Sequence, residues 1–241
     1  MRDDRGRGRR PFREFRRPED DPPGTSRLFI AVPVPDEIRG AIGRLMESVA
    51  GAPIGERLAG QPRWVGLEGL HITIRFLGAT ADERIDDVAR AVAVAARGMA
   101  PYEIVLRGGG AFPDPARPRV LWVGIEAGSN ELVELAGWIG EELQPAGWPP
   151  EERPLSAHLT LARTDGVPGA DHAARRLIDA ARDLDLRWTC DRVVLYKSLP
   201  GRGPARYQSL AEAPLTGEWV RGGAAPDCPP GPFLRPRRGC R

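Results

Sequence analysis

The chain has 241 residues, 41% hydrophobic and 28% charged, with a formal net charge of +2. That is enough to bury one sizeable core or two small lobes, and the balance is ordinary for a globular protein. No apolar run approaches the roughly 20 residues of a membrane helix, no hydrophobic region of the secretory type follows the N-terminal arginines, and three widely spaced cysteines (Cys190, Cys228, Cys240) form neither a C-x-x-C pair nor an even disulfide framework. A reducing cytoplasm is the expected location. Charge is unevenly placed: residues 1–26 carry eight Arg against six acids, and residues 217–241 carry five against two, which leaves the middle net negative. A broadly basic nucleic-acid module is thereby excluded, and any polyanion must be gripped locally.

Residues 1–26 lack apolar periodicity and read as a disordered Arg-rich tail. Order is expected from Arg27-Leu28-Phe29-Ile30-Ala31-Val32, a short strand stopped by Pro33 and Pro35. Asp36 is positioned to cap a helix with Ile38, Ile42, Leu45, Met46 and Val49 on one face. Gly51 to Pro62 reads as a loop and Arg63-Trp64-Val65 as a short strand. The run from Leu70 to Gly78 predicts another strand, and Thr80 with Glu83 a capping box for a helix with Ile85, Val88, Val92 and Ala95 inward. Tyr102–Leu106 alternates as a strand, and Gly108-Gly109-Gly110 breaks it with a bend. Val120–Ile125 is a buried-looking strand, and a helix from Ser129 or Asn130 points Leu132, Leu135, Ile139 and Leu143 inward. After a Pro-rich loop at 145–154 come a strand from Ala157, a helix near 168–182, and strands near 184–189, 193–196 and 207–215. Residues 217–241 read as a second disordered tail. The fold class expected is α+β: bilobal, with two pseudo-symmetric antiparallel sheets lining a central cleft and helices outside. The domain spans 27–216, and two internal lobes make a monomer sufficient.

Two segments are near-copies: Leu70-His71-Ile72-Thr73-Ile74 and Ala157-His158-Leu159-Thr160-Leu161. On a strand, His71 and Thr73 share one face and the aliphatic residues the other, and the same holds for His158 and Thr160. Two imidazoles that titrate near neutrality can divide the roles of acid and base, and two hydroxyls can donate to an anionic oxygen held between them. With no carboxylate cluster nearby to build a metal centre, this set suits substitution at phosphorus on a substrate carrying its own leaving group, such as a cyclic phosphate. His172, on a helix and without a counterpart, reads as a surface residue. By strict alternation Arg75 shares the face of Thr73 and can bind a flanking phosphate, the alternative being a solvated strand end. By the same rule Arg163 falls on the opposite face, where a structural ion pair is expected. Trp64, Phe76 and Tyr207 can stack on a base. Core packing is the stronger expectation for Phe76, and Tyr207 is the best stacking candidate.

These tetrapeptides resemble the paired His-x-Thr-x motifs of the two-histidine phosphoesterase superfamily. The flanking segments Arg27–Val32, Trp64-Val65, Phe76-Leu77-Gly78, Pro118–Gly124, Thr160–Arg163, Tyr196-Lys197-Ser198 and Ala205-Arg206-Tyr207 are similar to the RNA 2′,3′-cyclic phosphodiesterase (2′-5′ RNA ligase) family within it. The likeness covers about residues 27–215. It implies hydrolysis of RNA 2′,3′-cyclic phosphate ends to 2′-phosphomonoesters without metal or other cofactor. It assigns His71 as proton donor to the leaving 3′ oxygen, His158 as proton acceptor from water, and Thr73 and Thr160 as phosphate ligands. Ala157 departs from the pattern, which often has proline there. The expected partners are RNA ends or nucleotides bearing a 2′,3′-cyclic phosphate, with no membrane. Ligation of tRNA halves through a 2′-5′ linkage and a non-catalytic RNA-binding module are the alternatives.

Overall fold

The computed structural model describes residues 21–53, 61–199 and 205–218. The expected tails fall largely outside the described residues, as does most of the 51–62 loop. Among the described residues, nine strands and four α-helices follow in the order β1 (Thr25–Pro33), α1 (Asp36–Ala50), β2 (Arg63–Trp64), β3 (His71–Ala81), α2 (Ile85–Gly98), β4 (Tyr102–Phe112), β5 (Val120–Ala127), α3 (Ser129–Leu143), β6 (His158–Arg163), α4 (Ala170–Ala180), β7 (Leu186–Cys190), β8 (Arg192–Leu199) and β9 (Arg206–Pro214).

The apolar spacing of each helix fixes which side it buries. In α1 the buried face is Ile38, Ile42, Leu45, Met46 and Val49, as the 3.6-residue period requires. Each fully buried aliphatic side chain contributes roughly 1.5–3 kcal/mol, so this face outweighs the weak ends. The helix starts after Pro35 with no side-chain cap, so Asp36 sits in the first turn rather than capping it. It stops where Gly51 turns left-handed (φ 73°) and donates its N–H to the Glu47 carbonyl. The capping box expected at Thr80 and Glu83 does not form. Strand β3 runs on to Ala81 because Thr80 pairs with Ser26 of β1, and the Thr80 hydroxyl donates to the Gly78 carbonyl. Nor does the glycine run end β4. The strand continues to Phe112, with a register shift beside Gly108 (φ 69°).

All strand pairs are antiparallel. One half-sheet runs β3-β1-β8-β9 and the other β7-β4-β5-β6, and together they form a curled nine-stranded sheet with β2 added along β6. The halves meet at a seam of one residue pair, Ile72 opposite Leu159. Helices α2 and α3 contact each other, and α1 contacts α4. Between helices and sheet lies a continuous core that includes Leu28, Ile30, Ile42, Met46, Ile72, Leu121, Leu135, Ile139, Leu159 and Leu161. Among the described residues no helix is long and apolar enough to cross a membrane.

Candidate active site

Each His-x-Thr motif opens the strand on its side of the seam. Along β3, His71 is half-buried, Ile72 buried, Thr73 half-buried and Ile74 buried; Arg75 is buried too, and Phe76 emerges. Along β6 the sequence repeats with His158, Leu159, Thr160, Leu161, Ala162 and Arg163. The doubled buried position marks a bulge. Ala31 faces Thr73 but Ile30 faces Arg75, and Trp122 faces Thr160 but Leu121 faces Ala162. One extra residue on each motif strand, at Ile74 and Leu161, reverses the alternation beyond it.

That reversal overturns three expectations, two of them drawn from strict alternation. Arg75 does not share the face of Thr73. It is 5% exposed, donates to the carbonyl of Pro149, and lies 3.5 Å from Glu151 on the loop that leads to β6. A methyl group added at Gly140 of α3 would sit 3.4 Å from its guanidinium, which places Arg75 under the helix layer. Arg163 returns to the histidine side, where its charge acts on both imidazoles and on Tyr207. Phe76 is not core: it is 58% exposed, with its ring 6.0 Å from that of Phe29. Phe76 and Arg163 are thus equivalent positions, five residues past each histidine.

The seam sets the reacting groups against one another. Continuing the register of Ile72 and Leu159 by one residue either way brings His71 level with Thr160 and His158 level with Thr73. His71 Nδ1 is 2.7 Å from the Gly69 carbonyl, and His158 Nδ1 is 2.7 Å from the Ser156 carbonyl. A carbonyl only accepts, so each Nδ1 carries the proton and each Nε2 is left for the substrate. Aromatic rings wall both imidazoles. Phe29 lies 4.9 Å from His71, with Tyr207 edge-on at 5.2 Å. Phe112 lies edge-on to His158 at 5.1 Å, with Trp122 at 6.4 Å. Trp122 fits because position 110 is glycine: a Cβ there would stand 2.3 Å from the indole. Tyr207, the expected stacking residue, therefore sits beside the first histidine. Trp64 pairs with Ala162 and packs on the core, and His172 is exposed on α4.

Burial among these rings pushes the pKa of both histidines below the ordinary imidazole value. The backbone carbonyls oppose the shift, while the Arg163 charge adds to it at both sites and His158 adds to it at His71. Burial raises the Tyr207 phenol, so it stays a neutral donor at neutral pH. Among the described residues no group of three His, Cys, Asp or Glu side chains could hold a metal ion.

Phe29, Phe112 and Trp122 escaped the sequence reading because they come from other strands. Only their spacing within β1, β4 and β5 hints that they face the cleft.

A curled antiparallel sheet carrying one His-x-Thr strand in each half defines the class: a two-histidine phosphoesterase fold. The profile of the 2′-5′ RNA ligase superfamily matches residues 34–202, and the chain belongs to that superfamily. It is 32% identical over 203 residues to an RNA 2′,3′-cyclic phosphodiesterase of Thermus thermophilus, covering 81% of this chain and 93% of that protein. It is 31% identical over 188 residues to one of Methanocaldococcus jannaschii, covering 77% and 99%. A third, from Geobacillus stearothermophilus, is 30% identical over 195 residues, covering 80% of this chain but only 58% of that protein. Among solved structures, one from Thermus thermophilus superposes with a TM-score of 0.63 at 28% identity, covering 80% of this chain and all of that one. E. coli LigT complexed with 3′-AMP shares the fold at 23% identity, with a TM-score of 0.61 and coverage of 80% and 99%.

Proposed function

We propose that this chain hydrolyses RNA 2′,3′-cyclic phosphate ends to 2′-phosphomonoesters, with His71 and His158 as the proton-transfer pair. The observation that carries the reading is the arrangement across the seam. Two imidazoles in the same tautomer, each level with the other motif's threonine, stand on adjacent strands and leave both Nε2 atoms for one anionic group. The naming of several relatives for this activity supports it.

In the reaction, His158 Nε2 takes a proton from water as its oxygen bonds to phosphorus. The bond from phosphorus to the 3′ oxygen breaks, and His71 Nε2 gives that oxygen its proton. The 2′ ester survives, and the histidines exchange protons with solvent before the next turnover. Thr73 and Thr160 donate to the two non-bridging oxygens, and the Arg163 cation stabilises the charge that grows on them. Acid, base and anion ligands all come from the chain, so the step needs no metal. The terminal base stacks on Tyr207 and Phe76, whose rings are backed by the buried Phe29. The unit that performs this is the 27–216 domain, acting as a monomer in the cytoplasm.

The test is product identity from a 2′,3′-cyclic nucleotide in EDTA. The 2′-phosphate is expected, and its formation should be nearly abolished in both His71→Ala and His158→Ala. Full turnover in either variant, or the 3′-phosphate as product, refutes the assignment. Joining to a 5′-hydroxyl RNA is the same step with that hydroxyl in place of water. Adding such a partner to the assay shows whether joining competes.

A further inference from the structure

A second cationic feature begins where the catalytic strand ends. Just past Arg163, the 114–119 turn and the 164–171 segment enclose an open cavity of about 610 Å³, lined by Arg117, Pro118, Arg119, Asp165, Gly166 and Asp171 among others. Its floor is built. The Thr164 N–H donates to the Arg119 carbonyl at 2.9 Å, and the buried Thr164 hydroxyl donates to the Pro118 carbonyl. The Asp114 carboxylate accepts the N–H groups of Ala116 and Arg117, which shapes the other wall. Asp165 and Gly166, both at positive φ, turn the chain sharply to close the end.

We propose that this groove binds the RNA chain upstream of the cyclic phosphate by its backbone phosphates. The inference rests on the proposed activity for what occupies the cleft. A 2′,3′-cyclic phosphate ends an RNA strand, so the rest of the strand leaves in one direction only, from the 5′ oxygen of the terminal nucleoside. The exit beside Tyr207 and Phe76 is aromatic and suits a base. On the other side a run of arginines lines the path. Arg163 is paired in register with Arg63 on β2 and with Val120 on β5, and the exposed Arg117 and Arg119 lie in the turn that leads into Val120. Three carboxylates border this path, each already engaged: Asp165 pairs with Arg63, Asp171 lies 3.5 Å from Arg175, and Asp114 accepts the N–H groups of Ala116 and Arg117. Arginine dominates the path, and its planar fork fits phosphate. The cavity volume lies within the roughly 300–1,000 Å³ typical of ligand sites.

The experiment compares a 2′,3′-cyclic mononucleotide with a tetranucleotide ending in the same cyclic phosphate, on the full chain and on Arg117→Ala/Arg119→Ala. In the parent protein the tetranucleotide should have a lower KM. The double variant should lose most of that gain, leave mononucleotide turnover unchanged, and lower the salt slope of log KM by about 1.4, roughly 0.7 per phosphate contact on a single strand. Arg117→Lys/Arg119→Lys should restore most of the gain. Equal KM for the two substrates in the parent, or an unaltered tetranucleotide KM in the double variant, overturns the groove. If neither substrate is hydrolysed, the activity fails separately. Binding of the 3′-phosphorylated tetranucleotide then decides the groove, and equal affinity of parent and double variant overturns it.

Discussion

Truncating Arg75 and truncating Arg163 should give opposite phenotypes, and the bulges are the reason. Arg75→Ala removes a charged donor from the Pro149 carbonyl, a bond worth about 1.5–3 kcal/mol. Its buried methylenes add about 0.8 kcal/mol each. The exposed partner Glu151 adds at most about 1 kcal/mol. A loss near 3 kcal/mol corresponds to a Tm lowered by roughly 6–12 °C for a domain of this size. Arg163→Ala removes the cation that faces both histidines. Losing one charged hydrogen bond to the reacting phosphate costs about 1.5–3 kcal/mol of transition-state stabilisation, a fall in kcat/KM of roughly 10- to 150-fold, with little change in Tm. Thermal unfolding and hydrolysis of a 2′,3′-cyclic nucleotide should be measured on the same preparations. The reasoning is refuted if Arg75→Ala keeps the parent Tm while losing activity, because that is the pattern of a residue on the open face. Parent-like activity in Arg163→Ala refutes the other half.

Phe76→Ala should lower stability by no more than about 1 kcal/mol, since most of the ring is already in water, yet raise KM about 5-fold or more through lost stacking; a large loss of stability with unchanged KM would return the ring to the core. Gly110→Ala forces the Trp122 indole away from His158, at about 1–3 kcal/mol of overpacking; denaturant unfolding and kcat should both fall, and an unchanged midpoint contradicts the close approach. In the free protein both imidazoles sit below their ordinary value, so the form with one proton shared between them peaks below about pH 6.5. The kcat/KM profile should have its maximum there, with kcat displaced upward because bound phosphate favours the imidazolium; a kcat/KM maximum above about pH 8 would be inconsistent. The same depression has a stability consequence. The unfolded chain binds protons at these sites first, so stability is lost as pH falls below about 6.5. His71→Gln should flatten that loss between acidic and neutral pH in denaturant titrations.

The helices and strands were legible because their periods are clean: α1 and α3 bury the residues their spacing picks out, and the near-copied motifs give away two related strands. The bulges were not legible, because a bulge is a property of two paired strands. Nothing in His71–Phe76 alone says that Ala31 will face Thr73 and Ile30 will face Arg75. That irregularity sent Arg75 inward and brought Phe76 out, and its counterpart at Leu161 brought Arg163 out. The capping signal at Thr80 failed for the same kind of reason, as pairing with Ser26 on β1 held that residue in a strand. The wall of Phe29, Phe112 and Trp122 is assembled from three strands distant in sequence, which only the tertiary structure brings together.

The strand order also dictates a schedule of assembly. Strands β4 to β7 occupy one stretch of chain, residues 102–190, and can pair as soon as that stretch is free of the ribosome. Strand β1 is made first, yet one of its neighbours is β8, with Leu28 beside Lys197. Contacts so far apart in sequence close slowly. The half carrying His158 therefore matures while the half carrying His71 waits for β8 and β9. A nascent chain stalled before residue 192 holds both histidines but lacks those two strands, and with them Tyr207 and the backing of Phe29.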